Sequence, residues 1–195
     1  TCCQAAYRRL NIPLFLKPAI GGLATGLIGV FLPQVLGTSY GWLQIAMDRG
    51  FEKSPIFLAL IIAFAKIVAT SFSIGSGGSG GVFAPALVIG GMLGAFLHSV
   101  FRMLFPWLEI SVASFVVVGM AAFLGGVSKA PVATIIMVIE MTRGYTLIAP
   151  SIIATLISYL ITGSHTIYRS QVPSKMHFQH TESFNASTFL HSRRF

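Results

Sequence analysis

Ser73-Ile-Gly-Ser-Gly-Gly-Ser-Gly-Gly-Val-Phe-Ala-Pro85 decides how this chain is read. It lies between two apolar segments, Ile56 to Phe72 and Ala86 to Val100, so a glycine-rich break stands where a membrane helix should continue. In hydrocarbon, irregular main chain is tolerated only where protein buries it or where it borders a polar cavity, because every unpaired N–H or C=O is costly there. The break therefore predicts a ligand site. Gly80 and Gly81 are expected to take conformations closed to other residues. Pro85, in the first turn of the helix that follows, loses no hydrogen bond, since its missing N–H would have lacked a partner anyway. That leaves the amides of Val82, Phe83 and Ala84 free at a helix start carrying roughly half a positive charge. Such an end attracts an anion.

The composition fixes the surroundings. The 195 residues are 54% hydrophobic and 9% charged, with a mean hydropathy of +0.80, whereas soluble chains carry about 25% charged residues. No Asp, Glu, Lys or Arg occurs from Pro18 to Met47, from Ile67 to Phe101 or from Gly144 to Tyr168, and a span needs only about 20 apolar residues. An integral, multi-pass membrane protein is expected. The 13 Lys and Arg against 5 acidic residues sit between or beside hydrophobic segments, not on one polar face. They fit basic membrane-flanking loops, and no nucleic-acid partner is expected. Cys2 and Cys3 argue neither a disulfide framework nor a metal site, although a lipidated pair is compatible with them. The start lacks both Met and a signal-peptide layout, so the chain is expected to be cut from something longer.

Helices are predicted from Lys17-Pro18 to about Phe31, over Tyr40 to Met47, from Pro55 to Phe72, from Pro85 to Phe105, from Ile110 to Leu124, from Pro131 to Met141, and from Tyr145 to Ile161 with a kink or restart at Pro150. Thr1 to Asn11 reads as a helix end or loop, and Asp48 to Lys53 as a turn in water. Gly22 with Gly26, and Gly90 with Gly94, stand at the spacing that lets another helix approach closely. Gly125-Gly126 is expected to turn the chain. Many of these segments are short or interrupted, which is the pattern of discontinuous helices with binding sites at their ends. The fold class predicted is all-α, a polytopic membrane protein with tilted and discontinuous helices. From His177 onward the sequence turns polar, and residues 176–195 are read as a flexible tail.

Gly75-Ser-Gly77-Gly-Ser-Gly80 fits G-x-G-x-x-G literally, but helices flank it where a dinucleotide site needs a strand, and the next acid is Glu109. A flexible hairpin is the bland alternative, and the asymmetric finish Gly81-Val-Phe-Ala-Pro85 argues for a shaped turn into a helix instead. Ser76-Gly77-Gly78-Ser79-Gly80-Gly81-Val82-Phe83-Ala84-Pro85 resembles the G-x-F-x-P anion-binding element of the CLC chloride channels and proton-coupled chloride transporters. Lys17-Pro-Ala-Ile-Gly-Gly22, Gly119-Met-Ala-Ala-Phe, Lys129-Ala-Pro131, Ile139-Glu-Met-Thr142, and Tyr168 followed by Ser170-Gln-Val-Pro173 follow in the order of that family's second half.

The resemblance implies that residues 1–175 form the C-terminal inverted-repeat half of a CLC-type membrane domain, in subunits that pair as a homodimer. It implies chloride as the transported ion, with protons as a further partner in the exchangers, the lipid bilayer as the setting, and no cofactor. It places chloride on the amides of Val82 and Phe83 and on the hydroxyl of Tyr168, with Gly80, Gly81, Ala84 and Pro85 shaping the loop. Amides and a phenol hold an anion without a full positive charge, so the ion can also leave. From the residues alone, Tyr168 reads as an interfacial anchor before it reads as a ligand, and its position in the family pattern reverses that order. The family's serine-bearing loop and gating glutamate belong to its first half, and no such motif is present in this chain.

Other candidates carry plainer readings. Glu140, the one acid in its apolar helix, is a proton-relay candidate by type and a helix-end acid paired with Arg143 or Lys129 by position. Lys66 is expected to snorkel or pair at a boundary. His98 and His165 are expected at interfaces, and no metal-ligand spacing is seen. Two alternatives to transport stay open: an intramembrane enzyme using a serine between Ser71 and Ser79, and a noncatalytic scaffold held by its small-residue faces.

Overall fold

A computed structural model describes residues 16–49, 57–78, 80–163 and 166–167. The described residues form seven α-helices: α1 (Leu16–Phe31), α2 (Tyr40–Arg49), α3 (Phe57–Gly75), α4 (Phe83–Leu104), α5 (Val112–Ser128), α6 (Pro131–Thr142) and α7 (Ile148–Thr162). Two 3-10 turns, Pro33–Val35 and Tyr145–Leu147, join them. Phe57–Gly75, Phe83–Leu104 and Tyr145–Thr162 are long and apolar enough to cross a bilayer, and α1, α5 and α6 are shorter apolar helices. The chain is all-α, as its composition predicts.

A helix apolar all round has no face to give to water and goes to the centre. Helix α4 does so, burying every residue from Ala86 to Met92 together with Gly94, Ala95 and His98. It packs chiefly against α5, which in turn meets α7, while α3 lies between α4 and α1. The α4–α5 contact is main chain against main chain. A Cβ on Gly90 would stand 2.6 Å from the Gly119 carbonyl oxygen, and one on Gly94 would run into the carbonyl of Phe115. The close approach expected at Gly90 and Gly94 is therefore found.

The same expectation at Gly22 and Gly26 is not met, since among the described residues nothing lies within 4 Å of a Cβ on either. The close face of α1 is one residue away in phase. It carries Gly21, against Ser76 and the Phe72 carbonyl, and Gly29, against Leu36. Gly125-Gly126 does not turn the chain either. Both lie inside α5 and admit Thr155 and Ser158 of α7, and the turn comes at Lys129, in the left-handed conformation at φ 59°. Pro150 restarts a helix: α7 begins at Ile148, so the proline falls in the first turn, where no hydrogen bond is lost.

Along α7, Ser151 and Thr155 are 0% exposed, and their hydroxyls have no hydrogen-bond partner among the described residues. A buried, unpaired hydroxyl costs about 1–3 kcal/mol. Thr155→Val keeps the shape and removes the polar atom, and it is expected to raise stability by about 1 kcal/mol. Thermal unfolding of the full-length protein in detergent checks this, and a lowered midpoint would show that the hydroxyl is used.

Candidate anion site at the start of helix α4

Helix α3 outruns its expected end by three residues, so Ser73, Ile74 and Gly75 are helical and the irregular stretch begins at Ser76. It opens with a closed C-terminal cap. Gly77 N–H donates to Ile74 O (3.2 Å), and Gly78 N–H donates to Ser73 O (3.1 Å). Gly77 has φ +90°, a value that other residues rarely adopt. This pair of bonds is the Schellman arrangement, and it satisfies carbonyls that would otherwise present partial negative charge. Ser76 Oγ also donates to Ser73 O (2.9 Å). Conformations closed to other residues were expected at Gly80 and Gly81, whereas the positive φ seen among the described residues of the break is at Gly77. The break bends at Gly77, because the cap of α3 needs its left-handed residue there.

The helix start opposite is left open. Val82 is the N-cap of α4, with φ −87° and ψ −15° and no capping side chain. Helix formation begins at Phe83, two residues before the predicted Pro85, so the proline occupies the third position. Ala86 N–H donates to Val82 O at 3.1 Å. Among the described residues, the amides of Val82, Phe83 and Ala84 have no hydrogen-bond partner. Three donors thus gather at the positive end of a 22-residue helix.

Beside them lies a cavity of about 460 Å³, bordered by Thr70, Ser71 and Ile74 of α3, by Val82 and Pro85, and by Ile167. No charged side chain is among its described lining residues. An apolar wall keeps the local dielectric low, which strengthens the pull of each amide dipole. Among the described residues, nothing lies within 4 Å of a Cβ on Gly81. Ile167 N–H donates to Val127 O (3.1 Å), which ties the segment after α7 to the end of α5 and to this cavity. Tyr168, the third expected ligand, lies outside the described residues, as do Ser79, His165 and the whole of residues 168–195.

The other candidates fall elsewhere. Glu140 is exposed and accepts a hydrogen bond from the Tyr145 hydroxyl (3.1 Å), not from Arg143 or Lys129. Lys129 instead donates to Tyr159 O (3.3 Å) and lies 4.6 Å from the centre of that ring. Lys66 neither snorkels nor meets an acid. It is 2% exposed, and its Nζ donates to Val35 O (2.7 Å), Gly37 O (2.7 Å) and Ser39 Oγ (2.8 Å). Those acceptors are two carbonyls and a hydroxyl of a turn whose Gly37 and Ser39 both have positive φ. No sequence signal marks such partners, because two of the three are main chain. His98 is buried, with Nε2 on Ile110 O at 2.9 Å. Ser71, Ser73 and Ser76 make no hydrogen bond to a histidine or carboxylate among the described residues, so the serine-enzyme alternative gains no support.

Comparison with known proteins places the chain in a family. Residues 2–163 match the family described as voltage gated chloride channel. The chain is 33% identical over 171 residues to a protein of Ralstonia nicotianae named putative chloride channel protein ClcB-like, covering 85% of this chain and 38% of that one. It is 36% identical over 149 residues to the H(+)/Cl(-) exchange transporter ClcA of Salmonella agona, covering 74% of this chain and 31% of the relative. The corresponding figures for ClcA of Cronobacter sakazakii are 36%, 154 residues, 77% and 32%. The chain spans about a third of the length of these curated relatives. With three helices long and apolar enough to cross a bilayer and a sequence matched over residues 2–163, the chain is an integral membrane protein of the voltage gated chloride channel family.

Proposed function

We propose that this chain supplies half of a chloride path, with the ion held by the amides of Val82 and Phe83 at the start of α4 and by the hydroxyl of Tyr168. The observation that carries the reading is that, among the described residues, the amides at 82–84 have no hydrogen-bond partner and the cavity beside them has no charged lining side chain. A halide in that position receives directional donors and half a helix charge, enough to offset part of its lost hydration. A lysine there would hold the ion too firmly for turnover. Residues 1–175 act as the C-terminal half of the membrane domain, 176–195 as a polar tail, and complete subunits pair as homodimers. The relatives named as exchange transporters favour chloride as the ion and protons as its counter-substrate.

The test removes one donor with little change of backbone. Val82 sits at φ −87°, close to what proline adopts, and its carbonyl keeps its bond to Ala86. Val82→Pro in the full-length protein is expected to weaken chloride binding, measured by calorimetry, about tenfold or more, the worth of one hydrogen bond to a charged group. Val82→Ala, which keeps the N–H, should stay near the parent. Equal chloride affinity in Val82→Pro would remove the amide from the site.

A further inference from the structure

A second cavity lies at the opposite end of α4. It measures about 360 Å³, and unlike the first its wall is mainly polar, with His98, Arg102, Glu109 and Ser111 among its lining residues. Three features define what fits. His98 is only 7% exposed and is fixed in place, with Nε2 on Ile110 O (2.9 Å) and the ring edge-on to Phe115 at 5.4 Å. A carbonyl can only accept, so Nε2 carries the proton and Nδ1 is left as an acceptor, open only to a donor on a guest. Arg102 follows four residues on, one turn along the same helix, and reaches the same cavity. Ser111 is the N-cap residue of α5, yet its hydroxyl makes no capping bond and borders the cavity instead.

The cavity's surroundings indicate the source of the guest. Residues 104–108 read Leu-Phe-Pro-Trp-Leu, and Leu104, Phe105, Trp107 and Leu108 are all exposed, Trp107 at 73%. Exposed aromatic and aliphatic side chains where a span ends form the belt that sits at headgroup level. A pocket lined by a guanidinium, a hydroxyl and a carboxylate, with Leu108 of this belt in its wall, matches a headgroup with both an anion and a cation.

We propose that this cavity binds the headgroup of an aminophospholipid, phosphatidylethanolamine by chemistry. The phosphodiester is held by Arg102 and Ser111, and the ammonium is held by Glu109, with Nδ1 of His98 left as a further acceptor in the cavity. Guanidinium and phosphate make paired, charge-assisted hydrogen bonds, and the primary ammonium donates three to carboxylate and carbonyl oxygens. A choline headgroup can donate none.

The experiment uses full-length protein, stripped of lipid in detergent and titrated with phosphatidylethanolamine, with phosphatidylcholine or with inorganic phosphate, with bound lipid counted by native mass spectrometry. Phosphatidylethanolamine is expected to bind more tightly than phosphatidylcholine, and Arg102→Gln should raise its apparent Kd about tenfold or more. Glu109→Gln should erase the preference for ethanolamine over choline while leaving phosphatidylcholine binding unchanged. That split separates recognition from loss of fold, because a misfolded variant would lose both lipids. Equal binding of the two lipids by the parent overturns the proposal. So does unaltered binding in Arg102→Gln, or competition by inorganic phosphate at matched concentration, which would make the cavity a simple anion site.

Discussion

Gly94→Ala is expected to destabilise the protein by about 3 kcal/mol, a large effect for one methyl group. The added carbon would enter the space of the Phe115 carbonyl. Backbone cannot rotate aside as a side chain can, so α4 and α5 must separate along their length, and contacts made by Gly90, Gly119 and Met120 loosen with them. The sign is informative because the same change at Gly22 should do the reverse. Nothing described lies within 4 Å of a Cβ there, and alanine is the better helix former by up to about 1 kcal/mol. Thermal unfolding of both variants in one detergent checks the pair. Equal midpoints for Gly94→Ala and the parent would mean that the two helices are not seated as described.

The second large effect is expected at Lys66. Lys66→Met deletes the donor to Val35 O, Gly37 O and Ser39 Oγ together. Each buried acceptor left unpaired costs about 1–3 kcal/mol. Relief of the buried charge offsets part of the sum, which leaves a net loss of about 3 kcal/mol. The turn at residues 36–39 should open first, since its two positive-φ residues are held against α3 by this ammonium. Limited proteolysis within the turn, or faster amide exchange there, checks the local arm, and the unfolding midpoint checks the total. Lys66→Arg is not a full rescue, because a planar fork does not reproduce three converging bonds. A Lys66→Met protein as stable as the parent, with the turn still protected, would show the ammonium to be dispensable.

These residues also show what could be read from the sequence. Helix starts at Leu16, Tyr40 and Pro131 fell within a residue or so of their expected places, because proline, glycine and the edges of apolar runs act locally. The open amides at 82–84 were legible for the same reason: Pro85 and the glycines before it are neighbours in sequence. Phase was not. Four-residue spacing says that a helix has a small-residue face, but α1 also carries Gly21 and Gly29, and only its packing on α3 and the following turn selects between the two sets. Gly125-Gly126 misled because the feature that explains the pair, the side chains of Thr155 and Ser158, is about 30 residues away on α7. The partners of Lys66 were invisible because a carbonyl belongs to every residue. The extra turn of α3 is a case of tertiary contact overruling poor local propensity, with Ser76 buried against Gly21.

Donors at 82–84 are supplied by the path of the chain and not by its side chains. Nineteen of the twenty amino acids would furnish the same N–H, so ordinary substitution at those positions alters passage width and wall texture while the polarity of the mouth persists. Proline is the one replacement that silences a donor.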